Sequence, residues 1–212
     1  AGVLLLGKGG DNAATQEPDA KAPTSLNPPA STQNSPEAEA AIETAIREEA
    51  GKLTGELTEA DYSRVRELDL QNNKLTDVKG LEKLTQLRIL KLTRNKISDV
   101  SALKELSQLQ GLMLGSNQIS DLSAVVGPLK ELTQLNRLNL TSNRITDVSP
   151  LKELKQVTLL YLNSNQISDV SALKELKQLR ILGLSENPLS KAQIEELQKA
   201  LPNCQIVFVP PE

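Results

Sequence analysis

Histidine is absent from the 212 residues, cysteine occurs once, as Cys204, and the aromatic side chains are Tyr62, Tyr161 and Phe208 alone. Each shortage closes off a class of chemistry. Without imidazole there is no Ser-His-Asp or Cys-His nucleophile, no histidine general base and few routes to a zinc site. A single cysteine forms neither an internal disulfide nor a thiolate cluster. Lying between a helix stop and an apolar strand, Cys204 reads as a small buried hydrophobe. Charge of one sign is also scarce: 24 basic and 27 acidic residues leave a net −3, giving no long-range pull toward nucleic acid or anionic lipid. Few rings mean that no ordinary globular core is built here. The apolar content is nearly all Leu, Ile and Val, which suits thin layers of identical shape.

Long apolar runs are missing too. Ala1-Gly2-Val3-Leu4-Leu5-Leu6-Gly7 falls far short of the ~20 residues that span a bilayer. It is similar to the end of a signal-peptide apolar region, and in the bacterial lipoprotein signal such a Leu-x-Gly stretch precedes a lipid-bearing cysteine. Here Lys8 stands in that place. Two readings are open: export with N-terminal anchoring in a native form, or a plain apolar stub. Gly7-Lys8-Gly9-Gly10 is too short to cradle a phosphate. From Gly9 to about Asn34, with Pro18, Pro23, Pro28 and Pro29, the composition is Ala, Thr, Ser, Asn, Pro and Gly. Such a stretch buries too little apolar area to offset its ordering entropy, so a flexible tether is expected.

Order is expected to begin at Ser35-Pro36-Glu37, a cap, a first-turn proline and an acid at the positive end of a helix. Ile42 and Ile46, with Ala38, Ala41 and Ala45, give that helix one apolar stripe, and Thr58 starts a second short turn through Asp61.

Beyond Asp61 the chain is periodic. Leu-x-Leu-x-x-Asn occurs at Leu68-Leu70-Asn73, Leu90-Leu92-Asn95, Leu112-Leu114-Asn117, Leu138-Leu140-Asn143, Leu160-Leu162-Asn165 and Leu182-Leu184-Asn187. The asparagines are 22, 22, 26, 22 and 22 residues apart, the long step holding four extra residues around Val125-Val126-Gly127-Pro128. After each of the first five asparagines comes an aliphatic residue, then Asp, as in Ile97-Ser98-Asp99-Val100, then aliphatic residues three apart such as Leu173-Leu176-Leu179. Six near-identical units are a specific repeat signal. Each predicts a strand, a turn and a tight 3₁₀ return, with leucines inward. A buried asparagine at each turn bonds the backbone of its own and the next coil. The column Asp77, Asp99, Asp121, Asp147 and Asp169 reads as caps for the helical returns; stacked carboxylates also raise calcium as the rival reading.

A 22-residue repeat of this pattern, running from about Thr58 to Val209, resembles the internalin-type subclass of leucine-rich repeats. The resemblance implies an α/β fold: a leucine-rich-repeat right-handed solenoid with a curved parallel sheet and a short 3₁₀ or helical convex side. A helical N-terminal cap and a helix-strand C-terminal cap complete it. The expected organisation is a stub and linker over 1–34, the N-terminal cap over 35–64, repeats over 65–187 and the C-terminal cap over 188–212. Internalin-like proteins are usually presented at bacterial surfaces and act by protein recognition, which implies an exported location at the cell surface or envelope.

In x-Leu-x-Leu-x the leucines point in and the x residues point out. The outward columns are Glu67, Ile89, Gly111, Arg137, Leu159, Ile181; then Asp69, Lys91, Met113, Asn139, Tyr161, Gly183; then Gln71, Thr93, Gly115, Thr141, Asn163, Ser185. They vary while the core positions hardly change. Ile89, Met113, Leu159, Tyr161 and Ile181 are apolar, with Lys91, Arg137 and Asn139 as polar contacts and the glycines leaving shallow depressions. Those eight residues are the candidate partner-binding site on the concave face, matching the aromatic, arginine and apolar make-up of recognition hot spots. No catalytic residue, cofactor or metal is expected, and the chain is read as a monomeric, non-catalytic protein-binding module. A spacer or stalk without a ligand is the alternative. Six strands make a face only 25–30 Å long and about 12 Å wide, small beside the ~800 Å² per partner of a standard interface. Either affinity is modest, or the rim and the inserted Val125–Pro128 segment take part.

Overall fold

A computed structural model describes residues 33–210 of the chain. The expectations of a signal-like stub and a tether therefore lie outside the described residues, except at positions 33 and 34. Helix α1 (Pro36–Ala50) starts where Ser35 accepts a hydrogen bond from the Ala38 N–H and ends at Gly51, whose φ of 69° places it in the left-handed region. Its buried residues Ala38, Ile42, Ile46 and Ala50 recur every fourth position, so one stripe faces inward. That stripe packs against β1 and joins the same apolar core as the repeats.

The short helix α2 (Glu59–Tyr62) comes next. Here the Thr58 N–H and hydroxyl both donate to Asp61 Oδ2, at 2.8 and 2.6 Å, and Lys52 Nζ donates to the same oxygen at 2.9 Å. The Lys52 hydrogen bond, then those from Thr58, hold the buried Asp61 carboxyl well below the usual carboxylate range. Since the folded state depresses this group, its contribution to stability is complete above the unfolded value of about 4 and is lost as pH falls toward the folded one. Thermal unfolding between pH 7 and pH 2 is expected to show wild type more stable than Asp61→Asn at neutral pH, with the gap closing in acid.

Seven parallel strands then form one sheet in sequence order. They are β1 (Glu67–Asp69), β2 (Ile89–Lys91), β3 (Gly111–Met113), β4 (Arg137–Asn139), β5 (Leu159–Tyr161), β6 (Ile181–Gly183) and β7 (Gln205–Val207). The register places Leu68, Leu90, Leu112, Leu138, Leu160, Leu182 and Ile206 side by side. The six leucines among them are buried, and Ile206 is partly buried against the same cluster. Return segments run along the other side as 3₁₀ turns at Leu81–Lys83, Ser101–Glu105, Ser149–Glu153 and Ser171–Glu175.

The third return is instead a helix, α3 (Leu122–Leu129), packed between the 3₁₀ turns before and after it. The four extra residues lengthen that turn, burying Val125, Val126 and Leu129. The insertion belongs to the return side and does not extend the outward sheet face. After the last coil, α4 (Lys191–Ala200) begins with Ser190 and Gln193 exchanging cap hydrogen bonds. Cys204 is buried beside it, where desolvation raises its thiol pKa.

Asparagine and aspartate do different work at each turn. Asn117 Nδ2 donates to the carbonyls of Leu92, Leu114 and Gly115, and its Oδ1 accepts from the Ile97 N–H. Asn143, Asn165 and Asn187 repeat the pattern. Two expectations are thereby corrected. Each asparagine bonds its own coil and the preceding one, rather than the next. Asn73, in the first coil, has no coil before it; its amide donates only to the Gln71 carbonyl and the side chain is half-exposed. The edge left there is held by Asn34, a residue whose surrounding composition predicts only a tether. Its Oδ1 accepts from the Thr76 and Asp77 N–H groups, and its Nδ2 donates to the Asp77 carbonyl and carboxylate.

Each repeat aspartate accepts a backbone N–H two residues ahead: Asp99 from Ser101, Asp121 from Ser123, Asp147 from Ser149 and Asp169 from Ser171, all at 2.8 Å. The carboxylates are thereby engaged as caps of the returns. Hydrogen bonds from Ser149 and Ser171 also hold Asp147 and Asp169 below the ordinary carboxylate range.

The residue before each ladder asparagine adopts a left-handed conformation: Arg94, Ser116, Ser142, Ser164 and Glu186 have φ between 53° and 60°. A side chain there costs backbone energy that glycine avoids. Glycine's larger unfolded-state entropy offsets part of the gain. Ser142→Gly is therefore expected to raise stability by about 0.5 kcal/mol, read as a higher urea midpoint with unchanged slope.

Candidate functional site

The in-register strands turn the alternate residues into continuous columns on the outer side of the sheet. Arg137 is exposed, while Ile89, Lys91, Met113, Asn139, Leu159, Tyr161 and Ile181 are half-buried. All eight candidate residues are thus brought onto one surface, with Met113, Asn139 and Tyr161 adjacent in one column and Arg137, Leu159 and Ile181 in the other. The columns also reach a seventh strand. Gln205 stands beside Ile181, and Val207 beside Gly183. Val207 and Val209 are 43% and 59% exposed, whereas most apolar side chains among the described residues are buried.

Electrostatics divide the face. At the β1–β2 end Lys91 Nζ lies 2.6 Å from Glu67 Oε1 and 3.9 Å from Asp69 Oδ2. The hydrogen bond to Glu67 holds the Lys91 ammonium above its usual range, so Lys91 is a charged group already satisfied by its own face. Arg137, on the central strand, carries no ion pair among the described residues. From β5 to β7 the outward residues include no charged side chain. The surface grades from a charged end to an apolar one.

The expected glycine depressions are filled. A Cβ on Gly183 would come within 2.7 Å of Asn163 Nδ2, because the Asn163 amide lies across that glycine. It is pinned there by the Ser185 N–H, which donates to Asn163 Oδ1 at 3.0 Å. Over Gly111 the Met113 methyl approaches to 3.6 Å of the same notional atom. Asn139 is fixed in turn by accepting from the Thr141 N–H. The glycines therefore make room for neighbouring side chains and leave the face smooth.

Sequence reasoning misses Val207 and Val209, because the last strand lacks the Leu-x-Leu signature: Ile206 and Phe208 take the inward places. It also misses the Lys91–Glu67 pair. The signal was available, since residues one repeat apart in neighbouring columns are diagonal partners on a parallel sheet. Elsewhere, a cleft of about 790 Å³ opens between α1, α2 and the first coil, lined by Ile42, Ile46, Leu57 and Tyr62 among acidic and basic residues. Lys83 Nζ sits 5.5 Å from the Tyr62 ring centroid at its edge, a cation–π contact. Among the described residues no group of three or more metal-ligating side chains is gathered, and no helix is long and apolar enough to cross a membrane.

Residues 43–207 match the family model described as a leucine-rich repeat region. Among solved structures, internalin C2 of Listeria monocytogenes aligns with a TM-score of 0.63 and 28% identity, covering 81% of this chain and 85% of that one. An internalin F from the same organism aligns with a TM-score of 0.63 and 24% identity, over 81% of this chain and 55% of the other. A leucine-rich-repeat protein of Leptospira interrogans aligns with a TM-score of 0.60 and 30% identity, over 70% of this chain and 38% of that chain. No curated protein matches.

Proposed function

The chain belongs to the leucine-rich-repeat family, its solenoid being of the internalin type, and from that premise we propose that the outer face of its sheet binds another protein. Members of this family are generally protein-interaction modules. The observation that carries the reading is the outward columns: they vary from coil to coil over a core that hardly changes, and they assemble Met113, Tyr161, Leu159 and Ile181 beside the unpaired Arg137. Buried positions must repeat for coils to stack, whereas this face is free to be specified by a ligand. In this reading the sheet is gently concave toward its partner, the chain is non-catalytic and the protein is exported to the bacterial surface or envelope.

Magnitude limits the affinity. Seven strands spaced ~4.8 Å apart give a face about 29 Å long, and at about 12 Å width it stays below the ~800 Å² of a standard interface. With α3 on the return side, extra area comes only from the rim. A dissociation constant in the micromolar range, about −8 kcal/mol, suits such a patch. The test is capture of a partner by the immobilised domain in three forms: wild type, Met113→Ala with Tyr161→Ala, and Lys104→Ala with Glu105→Ala on the return side. Loss in the face variant and retention in the return-side variant support recognition. A wild type that retains no protein favours the spacer reading.

A further inference from the structure

The two edges of the sheet are treated differently. At β1, helix α1 packs along the strand, and Glu67 and Asp69 put charge on it. At β7 no described element lies outside the strand, which is last in the sheet. The N–H of Gln205 donates to Arg180, and the carbonyls of Val207 and Val209 accept from Leu184 and Glu186. In a parallel ladder the intervening residues then aim their N–H and C=O groups the other way. Ile206 and Phe208 thus present backbone donors and acceptors that no described residue pairs, at the last described edge of the sheet. Residues 205–209 include no charge, although soluble proteins normally guard such edges with lysine, proline or a covering element. Proline enters only at Pro210.

We propose that β7 is a self-association edge, at which two copies of this chain pair antiparallel across a two-fold axis. The inference is independent of the partner-binding reading, and it departs from the monomer that the repeat pattern alone suggests. A second copy is favoured by three features. Helix α1 blocks head-to-tail addition of β7 to another chain's β1, leaving only the closed, isologous arrangement. An uncharged strand meets its own image without repulsion. The geometry also closes: with the axis at Val207, Ile206 of one copy faces Phe208 of the other, giving four backbone hydrogen bonds, while the two Val207 side chains meet on the outer face. Pro210, which has no N–H, ends the ladder. So short a strand buries well under the ~1,200 Å² of a stable dimer, which makes the association weak and concentration-dependent.

Sedimentation equilibrium of the chain from about 10 µM to about 1 mM, a range set by that small area, tests this. The expected result is a mass that rises toward that of two chains, remains monomeric in Val207→Lys, and still rises in Tyr161→Ala. Because Val207 is exposed, the lysine variant is expected to keep the wild-type melting temperature. In wild type, amide exchange at Ile206 and Phe208 should slow across the same range, a readout that needs no variant. A wild type that stays monomeric at the highest concentration overturns the proposal, leaving the edge for a strand of a different protein. So does self-association that Val207→Lys leaves intact.

Discussion

Asn117→Ala is expected to cost about 3 kcal/mol of stability, close to the upper end for a single polar truncation. The side chain is only 8% exposed and makes four hydrogen bonds, three donated to the carbonyls of Leu92, Leu114 and Gly115 and one accepted from Ile97. Alanine removes all four and leaves the Ile97 N–H unpaired, while the carbonyls of Leu92, Leu114 and Gly115 each keep one donor, from Asn95, Asn143 and Arg94. One such orphaned donor costs on the order of 1–3 kcal/mol when nothing replaces the partner, and the three carbonyl bonds lost with it add to that, while water entering the vacated space recovers part. For a domain of this size the loss corresponds to a melting temperature lower by about 6–12 °C. Asn73→Ala is the internal control. Same residue type, same repeat position, but half-exposed and bonded only to Gln71, it is expected to cost less than about 0.5 kcal/mol. Equal losses at both positions would show that the ladder is not what joins the coils.

The largest effect on binding is expected from Met113→Ala together with Tyr161→Ala, which should weaken partner affinity about 100-fold. These side chains flank Asn139 in one column, on strands two apart, so one partner element spans both. Tyrosine combines a rigid apolar ring with a polar end and loses little entropy on binding. Methionine moulds to whatever lies above it. Neither belongs to the fully buried core, and the double variant is expected to melt within a few degrees of wild type. A matching loss of stability would assign the pair to packing.

How far the sequence carried depended on how local each signal is. The inward leucines, the asparagine turns and the aspartate caps each recur every 22 residues, or 26 across the longer coil, and in a solenoid a recurrent residue sees the same surroundings in every coil. Features that break the repeat were illegible for the same reason. Asn34 clamps Thr76 and Asp77 from 42 and 43 residues away, inside a stretch whose composition says only that it cannot form a core. Val207 and Val209 extend the face on a strand whose inward residues are Ile and Phe rather than Leu. The Asn163 amide over Gly183 shows why an outward glycine does not spell a pocket: whether its space is empty depends on the rotamer of a side chain one coil earlier. The direction of the ladder, toward the preceding coil, is likewise a matter of three-dimensional handedness that one-dimensional spacing does not contain.

The central claim is that the partner sits on the outer face of the sheet, and the scarcity of cysteine offers its most direct test. Cys204 is buried, so a cysteine introduced at Tyr161 or at Lys104 is the one readily labelled thiol in each variant. Maleimide labelling rates would be measured with and without the captured partner at saturating concentration. The expected result is strong protection of Tyr161→Cys and an unchanged rate for Lys104→Cys on the return side. Protection of Lys104→Cys with free labelling of Tyr161→Cys would put the partner on the opposite surface and contradict the assignment.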